Sequence, residues 1–132
     1  QRGLDGHSDA DVAVHALMDA ILGALGEGDI GRHFPDSDDT YRGISSMLLL
    51  SRVMRLASER GFRIVNADVT IVAQRPKLAP CLEEMRLNIA EALGVTPDCA
   101  NVKATTTERM GYEGREEGIS AQAVVLLAKG SV

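Results

Sequence analysis

Trp is absent from this 132-residue chain and aromatic residues make up only 3% of it. A core with so few large rings must be assembled from Leu, Ile, Val, Ala and Met. No block of Lys or Arg occurs and the formal net charge is −5, which argues against nucleic acid and anionic membrane as partners. An acidic protein that handles an anionic substrate needs a cation or fixed donors to hold it. The two cysteines, Cys81 and Cys99, fall in no CxxC or Cys/His spacing, so they read as reduced thiols in a cytoplasmic protein and carry no metal signature. Signal-peptide pattern, bilayer-length apolar stretch, internal repeat and low-complexity run are all missing. What remains is ordinary globular composition, 45% hydrophobic and 25% charged, of a length that suits one compact domain over 1–132. The first residue is Gln1 rather than Met, and an upstream piece is expected.

A stretch rich in Ala, Leu, Val and Met predicts a helix from Ser8 to about Leu25, with Ser8 or Asp9 as N-cap. It is apolar round most of its circumference, at Val12, Ala13, Val14, Ala16, Leu17, Ala20, Ile21 and Leu22, as befits a helix buried on several sides. A loop rich in Gly, Asp and Pro follows from Glu27 to Gly43. A second helix is expected from about Ser45 to Arg60, stopping at Gly61. Phe62 to Gln74 reads as a strand rich in β-branched residues, ended by Pro76. A third helix spans about Ala79 to Leu93, with Gly94 as its C′ residue. Asn101–Thr106 and Ile119–Ala128 read as strands flanking a Gly-rich loop. The order helix, helix, strand, helix, strand, strand predicts an α+β fold, a mixed β-sheet with helices packed on one face.

Several blocks carry the chemistry. Asp11, His15 and Asp19 recur at intervals of four and form one ridge on the apolar first helix. Carboxylates in apolar surroundings need a partner or a metal, and a carboxylate one turn from an imidazole is a common way to fix the tautomer of a metal ligand. His7, just ahead of the predicted helix, can face an anion at its N-terminus. A satisfied core histidine beside an acidic helix start accounts for the same residues, and zinc asks for more ligands than this block supplies.

The loop Gly28-Asp29-Ile30-Gly31-Arg32-His33-Phe34-Pro35-Asp36-Ser37-Asp38 combines glycines that admit a close ligand with carboxylates that accept from hydroxyls. A solvated acidic loop with Asx turns reads the same way. Thr105, Thr106 and Thr107 offer hydroxyl and backbone donors to phosphate oxygens, with Glu108 next in line for a divalent ion bridging them. Threonine also favours strands for its own reasons. Tyr112 and Arg115 stand in the Gly-rich loop beyond, where Arg115 can pair with a diphosphate or merely with Glu116 or Glu117. Ala73-Gln74-Arg75-Pro76-Lys77-Leu78-Ala79 is a stiff turn with free backbone groups that suit a flat heterocycle, or a Pro-rich turn with solvated cations.

Five segments, HSDADVAVHALMDA, GDIGRHFPDSD, DVTIVAQRPKLAP, NVKATTTERMGY and GREEGISAQAV, cover nearly all of the chain. In order and spacing they resemble the 2-C-methyl-D-erythritol 2,4-cyclodiphosphate synthase family. The resemblance implies a homotrimer with active sites between subunits. It implies an enzyme of the non-mevalonate isoprenoid pathway, acting on a cytidine diphosphate substrate that carries a 2-phosphate. That phosphate attacks the β-phosphorus, and CMP leaves. It further implies zinc, or another divalent transition metal, at His15, and magnesium or manganese at Glu108. His7 and Thr106 correspond to the residues that steady the transition state. The methylerythritol-phosphate pocket would comprise Asp29, Ile30, Gly31, Phe34, Pro35, Asp36, Ser37 and Asp38, the cytidine pocket Ala73 to Ala79, and Ser8 would join His7 in binding substrate. Thr105 to Glu108 would hold phosphates, with Tyr112 and Arg115 near the substrate phosphate and the trimer cavity. The family's other zinc ligands form an Asp-x-His pair in an N-terminal strand segment expected upstream of Gln1. Two smaller departures, GREEG for the usual GRGEG and Gln122 where some members carry Glu, bear on cavity-ligand binding more than on catalysis. A cytidine-binding trimer without activity, and a purely structural trimer, are the rival readings.

Overall fold

The computed structural model describes residues 2–35, 45–73, 79–105 and 119–130. Helix α1 runs from Arg2 to Leu25, the short α2 from Ile30 to His33, α3 from Ser46 to Glu59 and α4 from Ala79 to Leu93. Strands β1 (Phe62–Val72), β2 (Ala100–Thr105) and β3 (Ser120–Lys129) form one sheet in the order β2-β1-β3. β1 pairs in parallel with β2 and antiparallel with β3, so the sheet is mixed as expected.

Local chemistry explains most boundaries. Ser45 caps α3 by accepting from the Leu48 amide at 3.2 Å, and its apolar stripe Leu49, Leu50, Val53 and Ala57 turns inward. α4 buries Met85, Ile89, Ala90 and Leu93 on one face and ends at Gly94, whose φ of +74° is the left-handed conformation a C′ residue adopts. In β1, Ile64 and Ala67 are both buried although their odd spacing would put them on opposite faces. A register shift between Ile64 and Asn66 against β3 leaves Val65 as the extra residue, and this bulge restores Ala67, Val69 and Ile71 to the inner face.

Three boundaries differ from the sequence reading. α1 starts at Arg2, so the helix passes through Ser8 and Asp9 instead of being capped by them. Nothing from Arg2 to His7 forbids helix, since the segment lacks proline and Gly3 and Gly6 only weaken it. The expected loop from Glu27 contains α2, because Asp29 supplies an N-cap: its Oδ1 accepts from the Arg32 amide at 3.0 Å. A 3₁₀ turn at Pro97–Cys99, entered through Thr96 with Pro97 at its first position, precedes β2.

All the larger helices lie against the same face of the sheet. α1 packs on β3 and β1, α4 on β2, and α3 rests on α1, α4 and β1. Leu17, Met18, Ile21, Leu22, Leu50, Val53, Val69 and Ile71 are the largest fully buried side chains, and aliphatic side chains and Met dominate the core, as the shortage of aromatics requires. The opposite face carries Val124 and Leu126 at 72% and 56% exposure, beside a polar cluster of Asp68, Asn101 and Lys103. Among the described residues no helix is long and apolar enough to cross a membrane.

Candidate functional site

α1 divides sharply between its two sides. Ala13, Val14, Leu17, Met18, Ile21 and Leu22 are buried against the sheet and α3. Asp11 is half-buried, and His15 and Asp19 are exposed. The ridge expected from the four-residue spacing therefore exists, but it faces outward and its carboxylates are not immersed in the core.

Nor do those carboxylates serve His15. Asp11 Oδ1 accepts from the hydroxyl of buried Ser46 at 2.6 Å, which fastens α1 to the first turn of α3. Asp19 Oδ1 accepts from the Ile30 amide at 2.9 Å, which fastens α1 to α2. Sequence reasoning missed Ser46. The signal was a tandem serine ahead of an apolar run, the first residue capping the helix and the second free to donate elsewhere. The proposed tautomer-fixing role of a neighbouring acid is thus replaced by two tethers.

The loop between α1 and α3 is held at several points. Glu27 pairs with Arg60 at the end of α3, and the Glu27 carbonyl receives His33 Nε2 at 2.6 Å. A carbonyl can only accept, so that ring nitrogen carries a proton. Gly28 sits at φ +87°, the left-handed region that favours glycine, and the Arg32 side chain folds over it, with Cδ 2.8 Å from where a Cβ would lie. Asp29, Ile30 and Gly31 are thereby presented on a fixed turn, followed by Phe34 and Pro35, both half-buried. His33 and Phe34 stack obliquely, their centroids 6.3 Å apart.

The second cluster lies at the carboxyl end of β1 and β2. Val72 pairs with Thr105 and with Ser120, and the Ala73 amide donates to the Thr105 carbonyl at 3.0 Å. The first residue of the segment expected to hold a nucleoside is thus bonded to the first residue of the segment expected to hold phosphate. Carboxyl ends of parallel strands are where open sheets commonly place ligands.

Other expected site residues lie outside the described residues: Asp36, Ser37 and Asp38; Gln74, Arg75, Pro76, Lys77 and Leu78; and Thr106, Thr107, Glu108, Tyr112 and Arg115. His7 and Ser8 lie within α1, so His7 is not beside a helix N-terminus as its sequence position suggested, and Ala79 opens α4. Among the described residues no three His, Cys, Asp or Glu side chains come together as a metal site. His15, exposed and bonded to neither neighbouring carboxylate, is chemically suited to ligation but supplies only one of the three protein ligands that catalytic zinc requires.

A model of the YgbB family matches residues 1–128. The chain belongs to this family. The resemblance drawn from its five motifs is borne out, since a 2-C-methyl-D-erythritol 2,4-cyclodiphosphate synthase of Syntrophotalea carbinolica is 67% identical over 127 residues, 96% of this chain and 77% of that protein. The fold agrees too. The bifunctional IspDF of Campylobacter jejuni matches with a TM-score of 0.85 at 43% identity, over 89% of this chain and 32% of that one. An IspF of Plasmodium falciparum, solved as a CDP complex, matches with a TM-score of 0.78 at 30% identity, over 91% of this chain and 72% of that one.

Proposed function

We propose that this enzyme converts 4-diphosphocytidyl-2-C-methyl-D-erythritol 2-phosphate to 2-C-methyl-D-erythritol 2,4-cyclodiphosphate, releasing CMP, in the non-mevalonate isoprenoid pathway. The observation that carries this reading is the 67% identity to a synthase of that name along 96% of the chain. An oxygen of the 2-phosphate forms a bond to the β-phosphorus as the bond from that phosphorus to the bridging oxygen breaks, and the bridging oxygen leaves with CMP. No water is consumed, and the class is a phosphorus–oxygen lyase.

The barrier is largely electrostatic, because two phosphate anions must meet inside an acidic protein. Thr105, Thr106 and Thr107 supply neutral donors to the phosphate oxygens, and His7 and Thr106 steady the charge that develops in the transition state. Asp29, Ile30, Gly31 and the following Phe34 to Asp38 hold the methylerythritol phosphate, and Ser8 binds substrate. Ala73 to Ala79 hold cytidine, and Tyr112 and Arg115 approach the phosphates. The adjacency of Ala73 and Thr105 supports this division, since a nucleoside and its own diphosphate must be gripped by neighbouring segments. The similar CDP complex supports a cytidine nucleotide as the ligand. His15 would hold zinc or another divalent transition metal, and Glu108 magnesium or manganese; such cations, when bound, draw charge from the phosphate oxygens.

The assembly we propose is a homotrimer with intersubunit sites, supported by the exposed Val124 and Leu126 on the open sheet face. The compartment is the cytoplasm, where unpaired Cys81 and Cys99 stay reduced. CMP release from the diphosphocytidyl substrate, assayed on the full-length protein with zinc and magnesium, tests the reaction. Nucleotide binding without turnover would leave a binding protein in its place. For the metal, His15→Ala is expected to abolish zinc retention in elemental analysis while the oligomer persists. Unchanged zinc content would remove His15 from the site.

A further inference from the structure

We propose that Asp19 is a positioning residue for the substrate: by holding the Ile30 amide it fixes the backbone from which Asp29 and Gly31 meet the methylerythritol phosphate. The inference rests on the reading above that this turn contacts the substrate.

Asp19 is exposed, yet its place is fixed, because the preceding Met18 and the following Ile21 and Leu22 are fully buried. Its Oδ1 accepts from Ile30 N at 2.9 Å, across eleven residues. Ile30 is the first residue of α2, and a first-turn amide has no partner within its own helix. The Asp29 carbonyl meanwhile accepts from Arg32 N at 3.2 Å, and Asp29 Oδ1 accepts from the same amide at 3.0 Å. The peptide between Asp29 and Ile30 is therefore held from both sides, once by the helix it begins and once by α1. Asp29 keeps Oδ2 as an acceptor for a hydroxyl. Without Asp19 the Ile30 amide turns to water, and a four-residue helix is too short to hold the peptide plane by itself. What Asp19 contributes is an acceptor oxygen at a fixed point. An amide side chain of the same shape provides that oxygen too.

The test compares Asp19→Ala, Asp19→Asn and Asp29→Ala by calorimetric titration with two ligands, the full diphosphocytidyl-methylerythritol 2-phosphate and CDP alone, with KM and kcat measured on the full-length enzyme. Losing one hydrogen bond that orders a binding turn is expected to weaken the full substrate about tenfold in Asp19→Ala, as a rise in KM with kcat nearly kept. CDP, which reaches only the other cluster, is expected to bind within about twofold of the parent, since no contact to it is removed. Asp19→Asn is expected to restore substrate binding. Equal weakening of CDP and substrate, an unaffected Asp19→Ala, or failure of Asp19→Asn to rescue each overturns the positioning role. If Asp29→Ala binds the full substrate normally, the substrate assignment of the turn falls and the proposal with it. If Asp29→Ala is weakened and Asp19→Ala is not, the proposal alone falls.

Discussion

Alternate residues of the same three strands build two sheet faces that share a backbone and little else. Toward the helices stand Ile64, Ala67, Val69, Ile71, Ala100 and Val102, all buried, with Ala121, Ala123, Val125 and Leu127 of β3 partly so. Away from them stand Asp68, Asn101 and Lys103, joined by hydrogen bonds, and the exposed Val124 and Leu126. The inner face closes the fold within one chain. The outer face leaves Val124 and Leu126 exposed, the apolar surface on which the proposed assembly rests. The two faces are expected to respond to substitution differently, one in stability and the other in assembly.

The largest effect is expected on the inner side. Leu17 is fully buried where α1 meets the sheet, and Leu17→Ala removes three carbon atoms from a close-packed interior. A loss of about 2–5 kcal/mol is expected, read as a lower urea midpoint at unchanged slope. A loss below about 1 kcal/mol would mean that the interior collapses around the vacancy and is less tightly specified than its burial suggests. The outer face gives the second prediction. Val124→Asp with Leu126→Asp touches no core residue, so far-UV circular dichroism should be retained and the dissociated chain destabilised by less than about 1 kcal/mol. Two carboxylates per chain on a covered apolar face should instead prevent assembly, read as a fall in mass by sedimentation or light scattering. An unchanged mass would place the subunit contact elsewhere and leave the open face unexplained.

This contrast also marks what the sequence made legible. Helices α3 and α4 were readable almost to the residue, because Ser45, Gly61 and Gly94 are local signals whose chemistry acts within a few residues. The strands were readable from β-branched runs, but the bulge at Val65 was not, since it follows from pairing with β3 about sixty residues away. The site divides in the same way. His15 and the Asp29–Gly31 turn stand out as residue types at a spacing. The partners of Asp11 and Asp19 do not, because Ser46 and the Ile30 amide reach them only through the packing of α1 on α3 and α2. An acid one turn from a histidine looks like its partner in one dimension, and in three dimensions each acid is engaged elsewhere.

The smallest effect separates the faces by pH. Asp68 sits on the outer face, where Lys103 Nζ donates to its Oδ2 at 2.5 Å and Asn101 Nδ2 to its Oδ1 at 3.0 Å. The Lys103 bond first, and the Asn101 bond after it, hold its carboxyl below the ordinary aspartate range. A carboxyl whose folded pKa is depressed adds stability that is present above its unfolded pKa and is lost as pH falls through the folded value, so the window lies below about pH 4. Both side chains are roughly half exposed, which limits the gain to a few tenths of a kcal/mol, about 0.2–1 at most. Asp68→Asn should therefore lower stability slightly at pH 7 and not at pH 2. A difference of the same size at both values would show that the carboxylate's charge contributes nothing. The same measurement on the assembled and the dissociated protein sharpens the comparison. Covering the outer face removes water from around the Asp68–Lys103 pair, so its strength should differ between the two states, whereas a contact elsewhere would leave it alone.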